Sequence, residues 1–390
     1  MNIFKQSLII ISLTAPQLMA QPSSNDSSQP LMMSTDKKPS LAVSKANNVG
    51  ARIIGYMAGW KATPPVEQIA NAGYTHIIVA FGVFSTTTPG EIVNSFSTVT
   101  KEYIASLQAA NIKVLLSLGG ASSSIPDTTT NFHDVLAAAP SPDAFKTTFI
   151  NSLKNLMTQY GFDGFDIDIE QGLIASGTFA SPQGDIAVLA DIINTMHNEN
   201  PSVLISMAPQ TANVSATSGF DQTWGNYASL IMQTSESLSW VGIQLYNTGC
   251  TYGIDKVCYD QAKTESPDYS VALADDLLTD WPATLSNGQA SGFQPYISHL
   301  KPSQVVLGYP APNASGDSDG RAVIPTSTII RALNCLATAS AGATSCDTYI
   351  PSKAYGSIGG VFEWEITYDQ NNSYKFATDL KSCVIESNCN

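Results

Sequence analysis

The chain has 390 residues, 43 % hydrophobic and 13 % charged. That is enough apolar material for a large buried core and too little charge for a disordered chain. Lys and Arg number 18 against 32 Asp and Glu, a net charge of −14. Such a surface repels phosphate backbones and anionic lipid, so neither nucleic acid nor a membrane surface is an expected partner. The four histidines, His76, His133, His197 and His299, lie far apart, which argues against a His-based metal site or a Ser-His-Asp triad.

At the N-terminus Lys5 precedes the apolar run Leu8 to Leu13, and Leu18-Met19-Ala20 resembles a signal-peptidase site. The run is too short to span a membrane, which takes roughly 20 apolar residues. Residues 1–20 are therefore expected to be a signal peptide, and the protein to be secreted or periplasmic. Residues 21–49 are rich in Ser, Asn, Gln, Lys and Pro and read as a flexible leader segment. All six cysteines fall after residue 249. Their sequence-adjacent pairs, 250–258, 335–346 and 383–389, are the simplest disulfide expectation, one that suits an exported protein.

From about residue 50 to 390 the composition is that of one domain. Eight short apolar runs recur: Ile53–Met57, His76–Phe81, Lys113–Leu118, Phe165–Ile169, Val203–Met207, Val241–Tyr246, Val305–Tyr309 and Gly360–Phe362. Most are β-branched and apolar on both faces, as buried parallel strands are. Helical periods lie between them. The strongest spans Asp143 to Tyr160, with Ser141 as N-cap, Pro142 in the first turn and Gly161 as the stop. Thr100–Ala110, Asp185–Met196 and Ser327–Leu336 are further predicted helices. Strands alternating with helices call for a parallel sheet. Eight such units in about 340 residues predict an α/β fold, a (β/α)8 barrel, with an open doubly wound sheet as the alternative.

The chemistry concentrates in Asp163-Gly-Phe-Asp166-Ile-Asp168-Ile-Glu170. Strand alternation puts Asp166, Asp168 and Glu170 on one face and Phe165, Ile167 and Ile169 on the other. In a barrel the apolar set meets the helices and the carboxyls line the interior. Glu170 then sits at the carboxyl end of strand four, where barrel active sites lie. Like charges this close raise at least one carboxyl pKa. A proton donor beside anionic stabilisers suits glycosidic cleavage. A divalent-cation site or a solvated acidic edge is the blander alternative.

This segment resembles the DxxDxDxE signature of glycoside hydrolase family 18, the chitinases and their relatives. Leu116-Ser117-Leu118-Gly119-Gly120 resembles the family's SxGG, and Ser206-Met207-Ala208-Pro209 its strand-five segment. Gln244-Leu245-Tyr246-Asn247 resembles the QxYN form of plant-type and some bacterial members. Gly359-Gly360-Val361-Phe362-Glu363-Trp364 resembles its strand eight. The resemblance implies a chitinase acting on chitin or N-acetylglucosamine oligosaccharides, without metal or cofactor, as a monomer. It makes Glu170 the general acid, with Asp168 accepting from the substrate's acetamido N–H, Asp166 holding Asp168 by sharing its proton, and Tyr246 donating to the acetamido oxygen. The acetamido oxygen then attacks C1 in place of an enzyme nucleophile. Trp364 is implied as the floor under the sugar. Tyr56, Phe81, Ser117, Gly120, Met207, Gln244 and Asn247 are candidate substrate-binding residues.

Two features depart from the family pattern. Glu363 and Glu365 flank Trp364, and the Pro310–Gly359 interval is too short for the large α+β insertion that walls the cleft in many exo-acting relatives. The short interval predicts an open groove and endo-type cutting. The segment after Asn247, with Cys250 and Cys258, is a candidate rim loop. Alternatives are an endo-β-N-acetylglucosaminidase acting on N-glycans, a non-hydrolytic sugar-binding relative, and a generic metal-dependent barrel enzyme.

Overall fold

The structure, a computed structural model, describes residues 51–215, 227–281, 295–311 and 323–389. The expected signal peptide and leader segment lie outside these residues. Eight parallel strands form the barrel: β1 (Arg52–Ala58), β2 (His76–Ser85), β3 (Lys113–Gly119), β4 (Gly164–Asp168), β5 (Leu204–Met207), β6 (Trp240–Gln244), β7 (Val305–Pro310) and β8 (Gly360–Trp364). Each pairs with its sequence neighbour, and β1 pairs with both β2 (Gly55↔Ile77) and β8 (Ile53↔Val361), which closes the ring. The predicted barrel is therefore the observed fold, and every predicted strand falls within two residues of an observed one at its start.

The longer helices are α1 (Val66–Ala72), α2 (Lys101–Ala109), α3 (Pro142–Tyr160), α4 (Gly184–Glu199), α5 (Tyr227–Thr234), α6 (Asp268–Leu278), α7 (Thr326–Thr338) and α8 (Lys375–Val384), with two six-residue helices at Phe132–Ala137 and Ile366–Asn371. Helix α3 shows how local sequence sets its ends. The Ser141 hydroxyl accepts from the Ala144 N–H, Pro142 needs no donor partner in the first turn, and Gly161 takes φ 84° beyond the last turn. A serine N-cap of this kind stabilises by about 1 kcal/mol relative to alanine. The buried stripe Phe145, Phe149, Leu153 and Leu156 joins the main core between sheet and helices.

Inside the barrel a smaller cluster packs Ile54, Tyr56, Ile78, Leu115, Trp240, Val306 and Phe362. The Phe362 ring lies where a side chain at position 308 would stand; a Cβ on Gly308 would meet it at 1.9 Å. Glycine there makes room for the aromatic centre of the barrel.

Between β7 and β8 the described residues carry α7 and no further strand. After β6 the chain makes a small antiparallel hairpin, Cys250–Tyr252 against Cys258–Asp260. A disulfide joins Cys250 to Cys258, and two more join Cys335 to Cys346 and Cys383 to Cys389. All three are the sequence-adjacent pairs. Strand β2 runs on to Ser85, past the predicted end at Phe81, because Ile92–Asn94 and Thr128–Thr129 pair with its extension.

Candidate active site

The four acidic positions of the motif separate along the barrel axis. Asp163 precedes β4, at the amino-terminal end of the barrel. Its carboxylate accepts from Val114 N (2.9 Å), Gln108 Nε2 (3.0 Å) and Lys113 Nζ (2.9 Å). It ties β3 and α2 together and takes no part in the site. Asp166 and Asp168 lie within β4, and Glu170 follows just past its carboxyl end.

Asp166 is fully buried. Oδ2 accepts from Tyr56 Oη (2.9 Å) and Ser117 Oγ (2.8 Å), and Oδ1 from Ser206 Oγ (2.7 Å). Burial raises its pKa, and these three hydroxyls oppose the rise. Asp168 Oδ1 accepts from Gln244 Nε2 (2.8 Å), whose amide also donates to Ala208 O (2.8 Å). Gln244 thus holds Asp168 toward β5 and β6. Hydroxyls from β1, β3 and β5 thus hold Asp166 in place below Asp168. Burial, then the charges of Glu170 and Asp166, push the Asp168 carboxyl well above the usual carboxylate range. Burial also raises the pKa of half-buried Glu170, one of whose oxygens lies 3.4 Å from Gln210 Nε2.

Asp168, Glu170, Tyr246, Asn247, Phe81 and Trp364 line one cavity of about 490 Å³ at the carboxyl-terminal mouth, with Trp60, Ser95 and residues 121–124 completing its wall. That size suits a small-molecule or oligosaccharide subsite. Phe81 stacks on Trp364 (5.9 Å between centroids, 16° between planes), and Trp60 stacks on Phe81 at 6.2 Å. Burial and the nearby carboxylates raise the Tyr246 phenol well above its ordinary value, so it stays a hydrogen-bond donor. Among the described residues the Tyr246 hydroxyl and Asp168 Oδ2 have no hydrogen-bond partner, and Trp364 Nε1 is buried without one.

Several candidate binding residues sit elsewhere than expected. Tyr56, Ser117 and Gln244 lie one layer below the cavity, bonded to the carboxyls. Gly120, at φ 82°, packs under Phe81, where a Cβ would meet the ring at 2.7 Å. Met207 belongs to the core between sheet and helices. The alternation that turns Ser206 inward to Asp166 turns Met207 outward, so its pocket role is withdrawn. The two glutamates flanking Trp364 are also placed. Glu363 is buried beside the Tyr74 hydroxyl, which stands between it and Asp369 Oδ2 (2.7 Å) with one proton for the two acids. Glu365 pairs with Lys61 at 3.2 Å and caps the helix Ile366–Asn371 through Thr367 N.

The sequence reading missed Trp60, the hydroxyl of Ser206 and the Ala121–Ser124 wall. Trp60 follows β1 directly and is half exposed, and a lone Trp beside a strand otherwise reads as core.

A closed parallel barrel with carboxyls and aromatic rings gathered at its carboxyl-terminal mouth defines a (β/α)8 barrel protein with its candidate site in the usual place for that fold. The model of glycosyl hydrolases family 18 matches residues 52–382, and the chain belongs to that family. The crystal structure of the C-terminal domain of ChiA from Legionella pneumophila is 66 % identical with TM-score 0.84, covering 87 % of this chain and all of that one. A putative chitinase A from Streptomyces coelicolor is 26 % identical with TM-score 0.61, covering 84 % and 96 %. Among curated relatives, chitinase D of Niallia circulans is 27 % identical over 83 % of this chain and 60 % of its own length. Chitinase Chi52 of Paenibacillus xylanexedens is 29 % identical over 71 % and 50 %. The chain thus spans about half to three-fifths of the length of these two curated relatives.

Proposed function

We propose that the chain is a chitinase that cleaves β-1,4 bonds between N-acetylglucosamine units with retention, through attack by the substrate's own acetamido group. One observation carries the reading: Glu170, Asp168 and Tyr246 face a single cavity over Trp364. Asp168 Oδ2 and the Tyr246 hydroxyl are left by the described residues as acceptor and donor. An acetamido group needs that pair. Its N–H donates to Asp168, its carbonyl accepts from Tyr246, and its oxygen is thereby aimed at C1. Glu170, whose pKa burial raises, gives its proton to the leaving oxygen and then takes one from water. The oxazolinium intermediate carries its positive charge next to Asp168, with Asp166 below. This is the substrate-assisted exception to the two-carboxylate scheme. The QxYN reading of Gln244 to Asn247 fits these roles, since Gln244 orients Asp168.

The chain is further proposed to act as an exported monomer. Three disulfides support an oxidising compartment. The short β7–β8 interval supports an open groove and endo-type cutting. The test is product analysis on N-acetylglucosamine hexamer and colloidal chitin beside a high-mannose glycoprotein. Soluble oligomers from the first two alone support a chitinase. Release of N-glycan without chitin cleavage transfers the assignment to an endo-β-N-acetylglucosaminidase.

A further inference from the structure

The end of β4 has a backbone problem that a distant tyrosine solves. Ile167 O accepts from Ala208 N (2.9 Å) and Asp168 O from Gly120 N (2.7 Å). The strand ends there, and Ile169 is buried with no ladder partner on either side. Buried N–H and C=O groups need partners. Both find one in the hydroxyl of Tyr227, the first residue of α5 and itself fully buried. Ile169 N donates to Tyr227 Oη at 2.8 Å, and Oη in turn lies 3.1 Å from Ile169 O, the nearer of two carbonyls open to its single proton. One hydroxyl thus fixes the peptide planes before and after Ile169. The second of these planes contains the backbone nitrogen of Glu170.

Beyond Glu170 the chain is held as well. Gln171 Nε2 donates to Ala121 O (3.0 Å), His133 N to Gly172 O (2.7 Å), and Ile174 N to the Asp185 carboxylate (2.9 Å). Tyr227 acts from α5 at Ile169, the residue that precedes the acid.

We propose that Tyr227 is the positioning residue for the general acid: its hydroxyl sets the peptide that carries Glu170 without touching substrate. The proposal rests on Glu170 being the acid. Phenylalanine at 227 keeps the ring in the core and removes both bonds, leaving two buried backbone groups unpaired next to Glu170. A misplacement of about 1 Å in a reacting group costs up to ~10²-fold in rate. Y227F is therefore expected to lose roughly 10- to 100-fold in kcat with KM within about twofold, because the sugar-contacting groups are untouched. Tyr296 supplies the control. It is equally buried, and its hydroxyl donates to a single backbone carbonyl, Leu277 O (3.0 Å), outside the site.

The test compares wild type, Y227F and Y296F on N-acetylglucosamine hexamer, with oligomer binding and amide hydrogen exchange at Ile169. A kcat loss confined to Y227F, with binding kept and Ile169 exchange at least tenfold faster, supports the proposal. It is overturned if Y227F keeps wild-type kcat, or if both variants lose kcat and binding in parallel, as a merely structural role requires. Should Y227F not fold, or the wild type not cleave the hexamer, wild-type exchange decides. A slowly exchanging Ile169 amide supports the clamp and a rapidly exchanging one overturns it. Wild-type inactivity would count against the functional reading alone.

Discussion

Ser206→Ala tests how Asp166 is kept in the barrel. Ser206 Oγ, at 2.7 Å, is the donor to Asp166 Oδ1, whereas Oδ2 has two donors, Tyr56 and Ser117. A hydrogen bond to a charged group contributes about 1.5–3 kcal/mol. Losing it makes the ionised carboxylate less stable by that amount, which equals roughly one to two pKa units upward. The sign follows from linkage. The hydroxyl favours the ionised form, so its removal raises the folded-state pKa of Asp166 above the wild-type value. The stability difference is then fully present above the variant's raised pKa and is lost as pH falls from there through the wild-type pKa, where both proteins become protonated. At pH 8 the variant should melt roughly 3–6 °C below wild type, taking about 2 °C per kcal/mol, and at pH 4 the gap should narrow by half or more. Ser117→Ala should cost less at pH 8, because Tyr56 still donates to the same oxygen. The assay is thermal unfolding of the three proteins across that pH range. A gap independent of pH, or a larger loss from Ser117→Ala, would show that Asp166 is not held as an anion by these hydroxyls.

Cleavage should require an N-acetyl group on the sugar that supplies C1, release the β-anomer first and survive EDTA. Equal rates on deacetylated oligomers, followed by NMR, would contradict acetamido participation. Because burial raises the Glu170 pKa, kcat should fall on the alkaline side as pH climbs through that raised value, and a profile flat from pH 5 to 9 would contradict the acid role. On soluble glycol-chitin, viscosity should drop well before reducing ends accumulate; early dimer with little viscosity change would mean a walled cleft. Replacing Cys335 and Cys346 together by serine opens a loop of 11 residues and should cost about 3 kcal/mol by loop-entropy reasoning, measured by denaturant unfolding.

Much of the barrel was legible because parallel strands buried on both faces leave unbroken apolar runs, and α3 carried its own cap and stop. The Asp-Ile-Asp-Ile-Glu alternation likewise carried its geometry in the chain: carboxyls inward, isoleucines toward the helices. What escaped depended on register between distant segments. The apolar Met207 and the hydroxyl of Ser206 gave no sign of which faced inward until Asp166 was seen paired with Ser206 across β4 and β5. Glu363 and Glu365 looked like acids beside a sugar floor, yet Tyr74 and Lys61 claim them from elements some 290 to 305 positions away. Tyr227 stands 58 residues from Ile169, and a tyrosine opening a helix resembles any other core residue. Strand β2 outran its prediction since its extension gains pairing partners only in three dimensions.

The central claim is that Glu170 delivers the proton. The most direct measurement is single-turnover hydrolysis of N-acetylglucosamine hexamer by Glu170→Gln beside wild type, with calorimetric binding of the same ligand. The amide keeps the shape of the side chain and removes the transferable proton. Turnover should fall by roughly 10²–10⁴ with binding retained. Turnover near the wild-type rate would contradict the account.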